Sequence, residues 1–320
     1  MSNLPVVSVS VISYNAAATI EETLNSILEQ DYRPENIELV ISDDASVDDT
    51  VAITERWLSS HGDAFRRTRL IANSSNGGVS RNCNTVWKAS TGEWIKTIAA
   101  DDILLPGCLS SNVDFIRQHA ECSIVFSRMR WFGSVERVTP EPSQIAFFDL
   151  PALEQYKVLR FGSFNFAPTS FIRREALESV GFADESFRNI EDLPLWLRFT
   201  RHGFRLYYHD GVTVNYRVSD SISKSSSRFV NVPFLLDMIG VHRQLRPLES
   251  NGFSYRYLRF ERSVLLYSML IISKVCRNRR SGLSRFLELI ALLFRPRDLW
   301  GVMRRRLGRL TRRIRRVPVN

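Results

Sequence analysis

Three pairs of adjacent carboxylates, Asp43–Asp44, Asp101–Asp102 and Glu191–Asp192, are the residues of this 320-residue chain best suited to chemistry. Neighbouring carboxylates repel each other and cost stability unless a cation or a donor group lies between them. A hard divalent cation such as Mg²⁺ or Mn²⁺ binds one or two carboxylates together with phosphate oxygens, rather than a cage made only of protein. Asp101–Asp102 has the residue types and the number that such a site needs.

The pair Asp43–Asp44 permits two interpretations. Asp48–Thr50 lie just beyond it and are expected to cap the next helix, because their side chains accept hydrogen bonds from free backbone N–H groups. A single capping side chain is enough for the helix, so capping explains the two carboxylates of Asp43–Asp44 less well. A carboxylate at the end of a strand can instead accept a hydrogen bond from the N3–H of uracil or thymine. We favour this role for Asp44 and leave both interpretations open for Asp43.

The glycine pair Gly77–Gly78 precedes a predicted helix that carries Arg81 in its first turn. A tight turn explains the two glycines. The alternative is an anion site formed by Asn76, the helix start and Arg81. No G-x-G-x-x-G segment follows the first strand, where Ser13–Asn15 stand instead, so a nicotinamide-dependent dehydrogenase is not expected.

Glu191–Asp192 opens a helix that is rich in aromatic residues. Acidic residues in a first turn commonly interact only with the helix dipole. A general base must lie within hydrogen-bonding distance of the reacting hydroxyl, which the local sequence does not establish. Considered alone, this pair is interpreted as a partner of the dipole.

The first hundred residues alternate β-branched runs with amphipathic stretches, which predicts an α/β fold with a mainly parallel sheet covered on both faces. The carboxyl ends of such strands form the edge at which ligands bind. Ser13–Asn15, Asp43–Asp44 and Asp101–Asp102 all follow predicted strands. The strands are Val7–Ile12, Ile37–Ser42, Arg69–Ala72 and Trp94–Ala99, and the helices are Thr19–Gln30, Val51–Leu58 and Arg81–Ala89.

The pattern is looser after the helix predicted at Cys108–His119. Residues Gly133–Pro151 contain three prolines and are interpreted as a loop. Short helices are predicted at Arg173–Val180 and Glu191–Arg201, and strands at Arg205–Tyr208 and Val212–Tyr216. From Phe229 onward the sequence is helical in character.

The positive charge is concentrated at the end of the chain. Fourteen arginines face only Glu288 and Asp298 after residue 276, so the preceding residues are net negative although the whole chain carries +9. Apolar residues from Leu299 to Ile314 recur at helical spacing, which predicts an amphipathic tail. This tail either packs on the body or lies on an anionic membrane surface, and we favour the membrane. Nucleic acid is not favoured, because Trp300 is the tail's only aromatic residue.

The composition, with 44% hydrophobic and 24% charged residues, is that of an ordinary globular protein. The four cysteines lack C-x-x-C spacing, so neither a zinc site nor a disulfide framework is expected. No signal peptide and no stretch of about 20 apolar residues is present. We therefore expect a cytoplasmic protein, peripheral at the inner face of the membrane.

Seven segments in order make the chain resemble the family 2 glycosyltransferases, the inverting enzymes of the GT-A fold. They extend over about the first 220 residues, and the ordered set is highly specific although each segment is short. They are Val7–Asn15, Glu38–Ser46, Asn76–Ser80, Gly92–Ile95, Ala100–Pro106, Gly181–Asp184 and Ile190–Asp192.

The resemblance implies a role for several residues. Asp44 would bind the nucleotide base, with Ser13 in contact with the nucleotide. Asp101 and Asp102 would bind ribose and metal, and Asp192 would be the catalytic base. Many members carry Asp-x-Asp-Asp, and the first of those positions is Ala99 here. The contacts to ribose and metal would therefore come from Asp101 and Asp102 alone.

The implied nucleotide-sugar site comprises Ser13, Asn15, Asp43, Asp44, Asn76, Arg81 and Asp101, with Asp102 on the metal. The loop Phe164–Ser170, with Thr169, and the side chain of Glu191 would border the acceptor. The implied domains are a GT-A catalytic domain at 1–225, with a nucleotide-sugar half at about 1–106 and an acceptor half at about 107–225, then a helical extension at 226–296 and the basic tail at 297–320.

The expected function is transfer of a single sugar from a UDP-, dTDP- or GDP-sugar to a hydroxyl of a lipid-linked or polysaccharide intermediate in cell-envelope glycan synthesis, with Mn²⁺ or Mg²⁺ as cofactor. The Gln-x-x-Arg-Trp segment of the processive synthases is absent, which favours single addition. The alternatives are a sugar nucleotidyltransferase, disfavoured because no Gly-rich basic loop follows the first strand, and a non-catalytic membrane- or nucleic-acid-binding protein.

Overall fold

The computed structural model describes residues 4–162, 167–218, 228–245, 252–301 and 303–304. The chain divides into two compact units, Met1–Ser219 and Asp220–Asn320. The predicted boundary after residue 225 and the tail from residue 305 onward lie outside the described residues.

Four parallel strands form the first half of the sheet of unit 1, in the order β3-β2-β1-β4. They alternate with three helices, as the sequence pattern predicts. The strands are β1 (Val7–Ser13), β2 (Ile37–Asp43), β3 (Arg67–Ala72) and β4 (Trp94–Ala99), and the helices are α1 (Ile20–Leu28), α2 (Thr50–His61) and α3 (Val79–Ala89).

The register brings the carboxyl ends of these strands to one edge. Ser13 of β1 pairs with Asp43 of β2, and Ile12 pairs with Ala99 of β4. Both faces of β1 are covered, since Val9 and Ser10 are alike fully buried. Ser10 stays satisfied because its hydroxyl lies 3.0 Å from that of Ser90. A sheet covered on both faces leaves its carboxyl edge as the place for a site.

The remainder of the sheet is mixed and follows the order β4-β8-β6-β9-β5, with β7 paired to β6. Here β8 is antiparallel to both β4 and β6, whereas β6 and β9 are parallel. The elements are β5 (Ile103–Leu104), α4 (Cys108–Gln118), β6 (Ile124–Gly133), β7 (Arg137–Thr139), α5 (Pro142–Ile145), α6 (Ala152–Leu159), β8 (Phe171–Arg173), α7 (Arg174–Val180), α8 (Asp192–Arg201) and β9 (Tyr207–Val218).

Three features of this half differ from the sequence pattern. The ten-residue strand β6 is not predicted, because Arg128 and Arg130 interrupt its apolar run. Arg128 is accommodated there by Asp210, 2.7 Å away across the sheet. The two strands predicted in the region of β9 are one strand, and the predicted loop Gly133–Pro151 contains β7 and α5.

Unit 2 consists of helices α9 (Val232–Gln244), α10 (Phe253–Val275) and α11 (Gly282–Leu293), and residues 296–301 are also helical. Leu235, Ile239 and Leu266 form a small core between α9 and α10. Ser281 caps α11 by accepting a hydrogen bond from the Ser284 N–H. In the part of the chain that the structure describes, no helix combines the length and apolar character needed to cross a bilayer.

Candidate active site

The loop after β2 is fixed against the loop after β1 by the carboxylate of Asp43. One of its oxygens accepts hydrogen bonds from the hydroxyls of Ser13 and Ser46, at 2.9 and 2.6 Å, and the other accepts from the Ser46 N–H at 2.7 Å. Asn15 extends this network, because its side chain accepts a hydrogen bond from the Val47 N–H at 2.9 Å. Asp43 is 1% exposed. The structure thus gives Asp43, Ser13 and Asn15 a shared role in shaping the two loops.

Asp44 holds the Gly77–Gly78 turn. Its two carboxylate oxygens accept hydrogen bonds from the N–H groups of Gly77 and Gly78, each at 2.8 Å. Each oxygen keeps a further lone pair, so these bonds leave Asp44 able to accept another donor. Base recognition by Asp44 stays a prediction, and its observed contacts position the loop that precedes α3.

A segment just before α8 closes over the same turn. The Arg188 guanidinium donates a 2.8 Å hydrogen bond to the carbonyl of Asn76, and the Arg188 carbonyl accepts one from the Ser80 N–H at 3.4 Å. The N–H groups of Gly77, Gly78 and Ser80 are therefore all engaged by protein. Arg81 stays exposed, with no ion pair among the described residues. Arg188 is not signalled by the sequence, because its partners lie more than a hundred residues away.

Replacing Gly78 with alanine should weaken donor binding. Gly78 has φ +84° and ψ 172°, a conformation that only glycine adopts readily, and an added Cβ would lie 2.6 Å from the Arg188 carbonyl oxygen. We expect a loss of about 1–3 kcal/mol of stability and a rise of about tenfold in the donor KM, because the turn no longer fits Asp44.

The matched control for this prediction is Gly203→Ala. Gly203 also has positive φ, at +89°, but an added Cβ would meet open space. It should lose about 1 kcal/mol of stability and keep its donor KM. Equal donor KM values for the two variants would show that the Asp44 turn has no part in donor binding.

A polar stripe on α1 and the residues flanking it positions the loop that carries Asp101 and Asp102. The Thr19 hydroxyl donates to the Ala100 carbonyl at 2.8 Å, and the Thr23 hydroxyl donates to the Asp102 carbonyl at 2.7 Å. Ser26 accepts a hydrogen bond from the Leu104 N–H at 3.1 Å. These spacings of four and three residues place the three side chains on one face of the helix. These bonds add to the loop's own turn, in which the Asp102 N–H donates to the Ala99 carbonyl at 3.1 Å.

Arg217 of β9 holds this loop from the other side. Its N–H donates to one carboxylate oxygen of Asp102 at 2.8 Å, and its guanidinium donates to the Asp101 carbonyl at 2.8 Å. The guanidinium also pairs with Glu22 and lies 4.6 Å from the centre of the Phe132 ring. Arg217 lies one residue beyond a predicted strand, where a single arginine carries no functional signal.

The second carboxylate oxygen of Asp102 is buried and has no hydrogen-bond partner among the described residues. Burial and the neighbouring charge of Asp101 raise the pKa of Asp102 well above its usual range, and burial also raises the pKa of Asp101. An unpartnered, buried carboxylate oxygen is costly unless a cation joins it. The described residues contain no group of three or more His, Cys, Asp or Glu side chains suited to a metal. One or two carboxylates here therefore fit a divalent cation that takes its remaining ligands from a diphosphate.

Glu191 and Asp192 line a pocket with apolar walls. The walls come from the ends of β1 and β4 (Ile12, Ala99), from α3 (Cys83, Trp87) and from α8 (Leu195, Trp196). Burial and the neighbouring charge of Asp192 raise the pKa of Glu191 to about 8. Burial also raises the pKa of Asp192. The Asp192 carboxylate accepts a hydrogen bond from the Leu193 N–H at 2.6 Å. A carboxyl with a raised pKa at a pocket wall has the properties of a proton acceptor near neutral pH.

The part of the pocket lining that follows residue 166 is held by Lys96, which is fully buried in β4. Its ammonium donates hydrogen bonds to the carbonyls of Pro168 and Ser170, and burial lowers its pKa. Pro168 and Ser170 line the pocket, whereas Thr169 between them is fully buried. Residues 164–166 of the predicted acceptor loop lie outside the described residues.

Solved structures with the same architecture define the class of this fold. The crystal structure of residues 1–349 of S. aureus TarS in complex with UDP-GlcNAc aligns with a TM-score of 0.62 at 20% identity, covering 82% of this chain and 72% of that one. The mannosyltransferase PcManGT from Pyrobaculum calidifontis, in complex with GDP-Man and Mn²⁺, aligns with a TM-score of 0.59 at 20% identity, covering 94% and 84%. The mixed sheet with flanking helices is a GT-A-like fold, which confirms the predicted fold class, including its helical C-terminal region.

Sequence comparison then assigns the family. The model of Glycosyl transferase family 2 matches residues 8–181, and the chain belongs to that family. It is 31% identical to EpsE of Bacillus subtilis (strain 168), which is named as a glycosyltransferase, over 65% of this chain and 71% of EpsE. It is 27% identical to the Escherichia coli UDP-Glc:alpha-D-GlcNAc-diphosphoundecaprenol beta-1,3-glucosyltransferase WfaP, over 79% of this chain and 98% of WfaP. The chain is thus a glycosyltransferase with relatives in cell-envelope glycan synthesis.

Proposed function

We propose that this glycosyltransferase is an inverting, metal-dependent enzyme that moves one sugar from a nucleotide-sugar to a hydroxyl of a lipid-linked or polysaccharide intermediate. The observation that carries the proposal is the unpartnered oxygen of Asp102, at the same sheet edge as the acid pair Glu191–Asp192. A cation site and a proton acceptor are the two elements that such a transfer requires.

The donor would bind along the carboxyl edge of β1, β2 and β4. Asp44 would accept a hydrogen bond from the base, and Ser13 and Asn15 lie in the hydrogen-bond network of the neighbouring Asp43. Asp101, half-buried next to Asp102, would contact the ribose. Arg81 is exposed in the first turn of α3 and is free to approach a phosphate. A divalent cation held by Asp102 would neutralise charge on the departing diphosphate.

Asp192 would act on the acceptor. As the acceptor oxygen forms its bond to the anomeric carbon, the bond from that carbon to the diphosphate breaks, and the hydroxyl proton passes to the Asp192 carboxylate. Attack from the face opposite the leaving group inverts the configuration. The apolar walls of the pocket favour this step, because they exclude water that would otherwise compete with the acceptor.

The donor class can be tested by thermal unfolding with UDP-, dTDP- and GDP-sugars, each with Mn²⁺. A correct donor at about 100 times its Kd should stabilise the protein by about 2.7 kcal/mol, or roughly 5–10 °C for a unit of this size. The stabilising donor is then supplied with a GlcNAc-diphospho-lipid acceptor, the class named for WfaP. The product should carry the anomeric configuration opposite to that of the donor, as read by NMR.

Three outcomes would contradict parts of this proposal. Transfer with retained configuration would exclude the direct displacement. Stabilisation by every donor without hydrolysis or transfer would favour a non-catalytic binding protein. Formation of a nucleotide-sugar from a sugar-1-phosphate would favour the nucleotidyltransferase alternative.

We also propose that the enzyme works at the inner face of the membrane, where a lipid-linked acceptor would be presented. The support is the run of arginines after residue 276, opposed only by Glu288 and Asp298. Each basic residue near an anionic surface contributes about 1 kcal/mol to binding.

A further inference from the structure

Helix α11 carries an apolar face that nothing in the described structure covers. Six large side chains, Leu283, Phe286, Leu289, Ile290, Leu293 and Phe294, are between 39% and 64% exposed. At 100° per residue they occupy an arc of about 140° around the helix axis. Ser284, on the far side, is 1% exposed. The helix therefore buries a narrow face and presents its widest apolar face to solvent, the reverse of a helix in a globular core.

Arginines surround this face at both ends. Arg277, Arg279 and Arg280 precede the helix and are exposed, Arg285 borders the face, and Arg297 follows it. Glu288 is the only acidic residue on the helix. Scattered exposed apolar residues are normal on a surface, but five on one face of a twelve-residue helix, with Phe294 just beyond its end, are typical of an interaction site.

We propose that the exposed face of α11 inserts into the interfacial layer of an anionic membrane, with the flanking arginines on the lipid headgroups. An anionic bilayer presents both features that this surface needs, a negative outer layer and, just beneath it, an apolar interior. A surface of net positive charge also disfavours the pairing of two copies of α11, since their arginines would meet. This inference rests on the proposed function in one respect, because it identifies the surface on which a lipid-linked acceptor would lie.

The inference separates two contributions to binding. Arginine attraction is screened by salt, over about 8 Å at physiological ionic strength. Insertion of apolar side chains is not screened. We therefore expect a binding component that survives high salt and depends on α11, in addition to a salt-sensitive component from the arginines.

The test uses the full chain and sedimentation with vesicles of phosphatidylglycerol and phosphatidylethanolamine, compared with phosphatidylcholine alone. Wild type should sediment with the anionic vesicles and keep part of that binding in high salt. Phe286→Ser with Leu293→Ser should lower partitioning by about tenfold or more and remove the salt-resistant part. Leu289→Glu, a single exposed change, should do the same if the double variant does not fold.

The matched control is Leu153→Ser with Val158→Ser on α6, where both side chains are also exposed. It should bind vesicles like wild type. A chain truncated after residue 304 loses seven of the fourteen arginines that follow residue 276, so it should lose part of its salt-sensitive binding and keep the salt-resistant part. If instead truncation removes all binding, residues 305–320 are the whole anchor and the proposal is wrong.

Two further outcomes would overturn the proposal. Unchanged binding of the α11 variants would show that this face does not insert. A concentration-dependent dimer, measured by light scattering without vesicles and abolished by Phe286→Ser with Leu293→Ser, would assign the face to a second copy of the chain. Sugar transfer to a soluble acceptor analogue should be equal in wild type and in all these variants. If wild type itself transfers no sugar, the proposed function is refuted, whereas the membrane result still stands.

Discussion

Asp102→Asn should abolish sugar transfer and leave the protein at least as stable as wild type. The unpartnered oxygen of Asp102 is the atom that a cation would neutralise. Loss of that cation should lower turnover by about 10³-fold or more, since it supplies several kcal/mol to the transition state. Wild type should gain thermal stability with Mn²⁺ and the nucleotide together, and the variant should not.

The stability part of this prediction follows from the pKa of Asp102. Because its folded-state pKa is raised, the folded protein binds the proton more tightly than the unfolded chain. The stability it contributes is therefore lost as pH rises from about 4 through the raised pKa, and at neutral pH the folded protein bears the free-energy cost of keeping this carboxyl buried. Asparagine removes that cost, so without metal the variant should unfold at the same or a higher temperature.

Asp63→Asn, at an exposed site outside the sheet edge, is the control and should keep both activity and metal response. Full turnover by Asp102→Asn would disprove the assignment of Asp102. Undiminished turnover of wild type in excess EDTA would show that the reaction needs no divalent cation, whatever the role of this carboxylate.

Asp192→Asn should lower turnover by about 10²–10⁴-fold and leave donor affinity near that of wild type. The substitution keeps the size of the side chain and removes its ability to take a proton. Donor affinity is measured by calorimetry with Mn²⁺, and turnover by release of the nucleoside diphosphate. A collapse of donor affinity would make Asp192 a binding or structural residue.

The pH dependence gives this second prediction an independent readout. The pKa of Glu191 is raised to about 8 and that of Asp192 is also raised, so the buried pair keeps a proton into the neutral range. The base is lost as pH falls, and kcat/KM should therefore rise with pH along an acid limb that lies above the pH at which an ordinary aspartate titrates. Glu191→Gln should remove any titration near pH 8 from the profile, because that pKa belongs to Glu191. An acid limb near pH 4 in wild type would show that Asp192 is not the titrating base.

The first half of the fold follows from the sequence because its signals are local. Strands β1, β2 and β4 are runs of β-branched and apolar residues, and α1 and α3 carry their apolar residues at helical spacing. Periodicity of this kind shows which face of a strand or helix is buried, and it can be recognised without knowing which elements pack against that face. The paired carboxylates at the strand ends could be located for the same reason.

The second half of the fold could not be predicted in the same way, because its strands depend on contacts that form only in the folded chain. Strand β6 is buried between β8 and β9, and its Arg128 is tolerated because Asp210 lies across the sheet. A single arginine in a sequence carries no information about which carboxylate will lie beside it. Arg188 and Arg217 escaped prediction for that reason, since each contacts residues more than a hundred positions away.

A polar stripe on α1 is a signal in the sequence that points to the loop carrying Asp101 and Asp102. Thr19, Thr23 and Ser26 are spaced as one face of α1, alongside its apolar residues. A polar stripe beside an apolar one on a buried helix must satisfy its hydrogen bonds in the interior, and here it does so on the loop that carries Asp101 and Asp102.

The chemical character of the acidic residues was decided by tertiary structure. The sequence places Asp44, Asp102 and Asp192 in loops and at a helix start, where the residue type alone does not establish the chemistry of a carboxylate. The fold gives Asp44 the amides of the Gly77–Gly78 turn, leaves one oxygen of Asp102 without a donor, and surrounds Asp192 with apolar walls. Residue type determines which proton or cation a side chain can bind, but desolvation and the supply of hydrogen-bond donors come from distant parts of the chain, and these determine whether it will.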